Sequence, residues 1–87
     1  MSKIVVVDDS YADLQMIEGC LKAANHTVVS FPNAEKLEEK VASEKPDVIV
    51  LDVVMPGRNG FQACRDLKND ERCKNVPIIL CTSKGNE

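Results

Sequence analysis

This 87-residue chain contains no tryptophan, one tyrosine and two phenylalanines, so aromatics make up only 3% of it. Aromatic stacking on bases or sugars is therefore not a leading function class. It has one histidine, His26, and its four cysteines (Cys20, Cys64, Cys73 and Cys81) form no CxxC pair and have no histidine close by in sequence. A zinc site is not expected from such spacing. Positive charge is also short: 11 Lys and Arg against 14 Asp and Glu give a net charge of -3. Nucleic-acid binding through a basic face is excluded on that balance. No apolar run approaches membrane-spanning length, and no charged segment followed by a long apolar run opens the chain. No membrane partner is expected, and a cytoplasmic location follows.

What is present is short and aliphatic. Ile4–Val7, Val48–Leu51 and Ile78–Cys81 are four-residue runs, largely β-branched, each followed by polar or turn residues. Continuous apolarity of this kind predicts strands covered on both faces, as in a parallel sheet. Thr27–Phe31 is a fourth candidate with weaker apolar content, suited to an edge. Between the strands lie three helical patterns. The first runs from Tyr11 to Ala24, with Leu14, Ile17, Leu21 and Ala24 on one face, Ser10 as N-cap and Asn25 as stop. The second runs from about Ala34 to Ser43, with Asn33 as N-cap, Leu37 and Val41 inward and Pro46 blocking continuation. The third runs from about Phe61 to Asn69, with Phe61, Cys64 and Leu67 inward, after a loop loosened by Gly57 and Gly60. Cys20, Cys64 and Cys81 read as small buried hydrophobes, and Cys73, in a polar stretch, as an exposed thiol. His26 reads as a surface residue in the turn before the second strand.

The order βαβαβαβ predicts one α/β unit over residues 1–87, with right-handed crossovers and helices on both sheet faces. Ligands of such sheets bind at the carboxyl ends of the strands. Asp8 and Asp9 follow the first run, Asp52 follows the third, and Thr82 and Ser83 follow the last. Each feature alone has a plainer explanation, since Asp after a strand is commonly a turn former and a hydroxyl pair commonly a turn. Together they converge on one edge. Three carboxylates brought together repel, and a hard cation with oxygen ligands relieves them, which points to Mg²⁺. A carboxylate there is also a candidate nucleophile toward phosphorus, with the cation and a hydroxyl stabilising the phosphoryl oxygens.

Three segments carry a resemblance. IVVVDDS, PDVIVLDVVMPGRNGFQACRDLK and VPIILCTSK resemble, in order and spacing, three parts of a response-regulator receiver domain. These are its first strand with paired acids, its phosphoacceptor strand with the following loop and helix, and its fourth strand with the switch hydroxyl. The flavour is CheY-like, of the stand-alone chemotaxis and twitching-motility type. The resemblance implies a flavodoxin-like three-layer parallel sheet and a role in two-component signal transduction rather than enzymatic turnover of a substrate. It implies Asp52 as phosphoacceptor and Asp9, Asp52 and the Val54 carbonyl as direct Mg²⁺ ligands. Asp8 would hold a water on the metal, Thr82 would be the switch hydroxyl, and Met55, Pro56 and Gly57 would shape the pocket. A histidine kinase is the implied phosphodonor.

One departure is large. The chain reads as a partial receiver that stops after the fourth strand, without the fourth helix, fifth strand and fifth helix. The lysine that receivers carry at the end of the fifth strand has no counterpart, and Lys84 stands on the wrong element. Slower phosphoryl transfer and self-association through an exposed fourth strand are expected. The competing expectation is a chemically silent receiver fragment that self-associates. An aspartyl-nucleophile phosphatase is disfavoured because Val54 stands where such enzymes carry a second acid. A flavin protein is disfavoured because no phosphate-cradling loop follows the first strand.

Overall fold

The structure is a computed structural model of the protein, and it describes residues 1–81. Seven elements follow in the expected alternation: β1 (Lys3–Val7), α1 (Tyr11–Ala23), β2 (Thr27–Phe31), α2 (Leu37–Glu44), β3 (Val48–Asp52), α3 (Gly60–Lys68) and β4 (Ile78–Cys81). The strands form one sheet in the order β2-β1-β3-β4, every pairing parallel. The first crossover runs to one side of β1 and the next returns to its other side. The reversal between β1 and β3 opens a crevice at their carboxyl ends.

Burial explains the strand sequences. In β1, Ile4, Val5, Val6 and Val7 are all buried, because helices cover both faces there. In β3 only Ile49 and Leu51 reach full burial among the aliphatics, and Val48 and Val50 remain partly open. The larger core gathers Val5, Val7, Ile49 and Leu51 under α2 and α3, through Leu37, Val41, Ala63 and Leu67. A smaller cluster of Ile4, Val6 and Leu14 lies under α1. Strand β4 is half-covered: Ile79 is 53% and Leu80 37% exposed. Coverage on both faces therefore holds for β1 and fails for β4.

The helix ends obey local chemistry. The Ser10 hydroxyl accepts from the Asp13 amide at 3.3 Å, and Asn25 stops α1 with φ of 71°. Asn59 and Gln62 form a reciprocal capping box at α3, each side chain accepting from the other's amide at 3.0 and 2.9 Å. Asn59→Ala is expected to lower stability by about 1 kcal/mol, read from denaturant unfolding midpoints.

Three sequence expectations need correction. Helix α2 begins at Leu37, not Ala34, because Lys36 adopts a left-handed conformation with φ of 52°. Asn33 accordingly caps a turn, its side chain accepting from the Glu35 amide at 2.9 Å, although Ala34 is still buried. In α3 the inward stripe is Gly60, Ala63 and Leu67, leaving Phe61 61% exposed. Phe61 sits one residue, about 100° of helix rotation, off that stripe. The cysteines are largely inverted: Cys73 is fully buried and Cys20 exposed, while Cys64 and Cys81 are intermediate. The turns after α3 fold Cys73 under α2, where its thiol donates to the Glu38 carbonyl at 3.4 Å. His26 is half-buried in the turn before β2, and its Nδ1 accepts from the Ser2 amide at 3.1 Å.

Candidate functional site

The crevice between β1 and β3 is built by backbone pairing. Val7 lies beside Leu51, so the residues that follow β1 and those that end β3 face the same edge. Asp8 continues β1 and donates its amide to the Phe31 carbonyl at 3.2 Å. Asp52 is the last residue of β3 and pairs in register with Cys81 of β4. The loop after it is closed twice: the Val53 amide donates to the Cys81 carbonyl at 2.8 Å, and the Gly60 amide to the Val53 carbonyl at 2.9 Å.

Asp8, Asp9 and Asp52 each bring a carboxylate oxygen within 4.8 Å of the other two. Asp8 and Asp52 are buried at 2% and 1% exposure, while Asp9 is exposed. Asp8 Oδ1 accepts from the Ser10 amide at 2.9 Å, and Asp52 Oδ1 accepts a long bond from the Val54 amide at 3.4 Å. Asp52 Oδ2 is buried and accepts no hydrogen bond from any described residue. A buried carboxylate oxygen without a donor is costly. Turn formation accounts for Asp8; it leaves Asp52 Oδ2 unexplained.

Electrostatics repeats the point. Burial holds the Asp8 carboxyl above its ordinary range, the Ser10 amide opposes this, and the negative charges of Asp52 and Asp13 add to the rise. Burial, then Asp52, Asp8 and Asp13, likewise push the Cys81 thiol up. An all-oxygen, partly desolvated, mutually repelling donor set suits a hard divalent cation that keeps open positions. The residues present thus fit Mg²⁺, which Asp8, Asp9 and Asp52 together would hold. Val54 is the second residue of the following loop and is 46% exposed. Thr82 lies outside the described residues. Sequence reasoning missed two neighbours of this site, Asp13 in the first turn of α1 and Cys81. Both follow from register: Asp13 is the residue whose amide Ser10 caps, and Cys81 is the strand partner of Asp52.

A parallel α/β sheet with an acid cluster at its reversal point places the chain among the doubly wound α/β proteins that bind ligands at the carboxyl ends of their strands. The model of the response regulator receiver domain matches residues 4–87, and the chain belongs to that family, the receivers of two-component systems. It is 38% identical over 87 residues to Protein PilH of Pseudomonas aeruginosa, spanning 100% of this chain and 72% of that protein. It also matches the response regulator PleD of Caulobacter vibrioides at 37% identity, spanning 94% of this chain but only 18% of that larger protein. Among solved structures, the chemotaxis protein CheY4 of Vibrio cholerae superposes with a TM-score of 0.88 at 29% identity, over 99% of this chain and 72% of that one. The receiver domain of the sensor histidine kinase PA1611 of Pseudomonas aeruginosa, with magnesium in its active site cleft, shares the fold. Its TM-score is 0.87 at 24% identity, over 94% of this chain and 67% of that one. No helix among the described residues is long and apolar enough to cross a membrane.

Proposed function

We propose that this chain accepts a phosphoryl group on Asp52 from a histidine kinase, with Mg²⁺ held by Asp9, Asp52 and the Val54 carbonyl and steadied by Asp8. The observation that carries the reading is the orphaned, buried Oδ2 of Asp52 beside two further carboxylates. That oxygen is the nucleophile: it forms an O–P bond as the P–N bond of a phosphohistidine breaks and the imidazole leaves. Bound Mg²⁺ supplies neutralisation of charge on the phosphoryl oxygens. The Ser10 amide keeps Asp8 oriented, and the doubly closed 53–60 loop holds the backbone next to Asp52. Thr82, one residue beyond β4, is the proposed switch hydroxyl. The cytoplasm, where two-component kinases present their phosphohistidines, is the proposed location.

Native mass spectrometry with Mg²⁺ and a small acyl-phosphate donor tests this. A phosphoryl adduct on the native chain that is lost in Asp52→Asn is the expected result. A native chain that takes no adduct, or an adduct that persists in Asp52→Asn, would sink the assignment.

A second reading rests on β4. Its outer edge is unpaired among the described residues, its sequence is uncharged, and Ile79 and Leu80 face solvent. Such an edge is a template for strand addition, and self-association through β4 is the proposed consequence. Light scattering across a dilution series should show dimers or larger species that Ile79→Lys disperses. A native chain that stays monomeric throughout the series rules this out.

A further inference from the structure

The residue outside the acid cluster with the most unusual set of partners is Arg58, in the loop between β3 and α3. Its Nη1 donates to Glu38 at 2.9 Å and to Asp66 at 3.0 Å, and its Nη2 donates to the Ala34 carbonyl. One guanidinium thus ties its own loop to the turn before α2, to α2 and to α3. The side chains of Arg58 and Glu38 are 26% and 22% exposed. The Arg58 hydrogen bond holds the Glu38 carboxyl below its ordinary range, and Glu38 in turn raises the guanidinium. An open cleft of about 500 Å³ adjoins it, lined among others by Ala34, Glu38, Pro56 and Gly57.

The placement of this clasp matters more than its strength. A half-buried ion pair contributes little net stability relative to apolar packing of the same volume, but it specifies geometry. The loop it grips follows Asp52 directly and includes Val54. Gly57, with φ of 75°, precedes Arg58, and the Asn59 capping box follows it. Met55 is anchored in the core at one end and the Gly60 amide at the other. Between those anchors, Arg58 is the side chain that ties the loop to α2 and to the turn before it.

We infer that Arg58 is a positioning residue for the acid site: by clasping Ala34, Glu38 and Asp66 it holds the Asp52–Gly60 loop in its cation-binding shape. The inference rests on the reading of Asp8, Asp9 and Asp52 as a Mg²⁺ site. Coupling is reciprocal, so cation binding must also tighten the clasp and the turn before α2. Groups that only orient metal-site residues typically change metal affinity by about tenfold or more when removed.

The test is Mg²⁺ titration by calorimetry, with amide hydrogen exchange over residues 34–38 and 54–58, on the native chain, Arg58→Met and Arg58→Lys. Arg58→Met keeps the bulk of the side chain and removes the fork. The expected result is Mg²⁺ affinity weakened about tenfold in Arg58→Met and partly recovered in Arg58→Lys. Mg²⁺ should slow exchange at residues 34–38 in the native chain and not in Arg58→Met. Glu38→Gln, which weakens one arm of the clasp without touching the loop, should show the same trend on a smaller scale and serves if Arg58→Met does not fold. Native-like affinity and native-like protection in a folded Arg58→Met, or in Glu38→Gln where Arg58→Met is unfolded, overturn the positioning role while leaving the metal site standing. A native chain that binds no Mg²⁺ overturns both.

Discussion

Asp8→Asn should make the metal-free protein more stable near neutral pH, while removing most of the stabilisation that Mg²⁺ confers. Asp8 is buried, and burial together with the charges of Asp52 and Asp13 raises its pKa. A carboxyl whose folded pKa is raised binds its proton more tightly in the folded state. Its favourable contribution is fully present below the unfolded pKa and is lost as pH rises through the raised folded value. At neutral pH the ionised group therefore costs stability, and asparagine removes that cost while retaining an oxygen to accept from the Ser10 amide. As pH falls through the raised Asp8 value, the gap between variant and native chain should close. The native chain should gain about 2.7 kcal/mol when Mg²⁺ reaches about 100 times its dissociation constant. The variant should gain far less. Chemical denaturation at several pH values, with EDTA and with Mg²⁺, reads all of this. A variant less stable than the native chain in EDTA at neutral pH would contradict the electrostatic account.

Gly60→Ala should be the most damaging glycine-to-alanine change among the described residues. A Cβ at position 60 would meet the Asp52 carbonyl oxygen, with Val53 Cα at 2.7 Å, and both are backbone atoms that cannot swing aside. Gly60 is also the donor that closes the loop onto the Val53 carbonyl. The added methyl must push α3 away from β3 or shift Asp52 itself. Overpacking of this kind costs about 1–3 kcal/mol, and here the displacement falls on Asp52, the proposed phosphoacceptor. Mg²⁺ affinity and phosphoryl adduct formation should both fall with stability. Gly57→Ala offers the contrast: nothing lies within 4 Å of its Cβ, so its cost is conformational, from φ of 75°. A loss of stability of conformational rather than steric origin is expected there, by thermal unfolding.

Acid should open the Arg58 clasp. Glu38 has a lowered folded pKa, so its contribution is present above its ordinary value of 4.5 and is lost as pH falls through the lowered value. Denaturation midpoints of the native chain should fall in that acid window more steeply than those of Glu38→Gln.

The sequence by itself determined the alternation of elements, the parallel sheet and the identity of the acid cluster. Those features rest on local chemistry: uninterrupted aliphatic runs, the Ser10 cap, the Asn25 stop and carboxylates placed directly after strands. The resemblance of three segments to receiver domains agreed with the strand order, because crossover handedness leaves few alternatives. Spacing placed Leu14, Leu37, Val41 and Leu67 inward, where they are buried, but tertiary structure decided the faces of other side chains. Phe61 looked inward by composition and lies outward because Gly60, Ala63 and Leu67 claim the helix stripe. Cys73 looked exposed among polar neighbours and is buried because the turns after α3 fold under α2. Gly60 is read differently too, as the site of closest approach to Asp52 rather than a loosened loop. The role of Arg58 is not legible locally, since its partners Ala34, Glu38 and Asp66 lie 24, 20 and 8 residues away. Local patterns specify elements through neighbours a few residues apart, whereas burial, pairing and electrostatic coupling depend on contacts that exist only once the sheet has brought distant segments together.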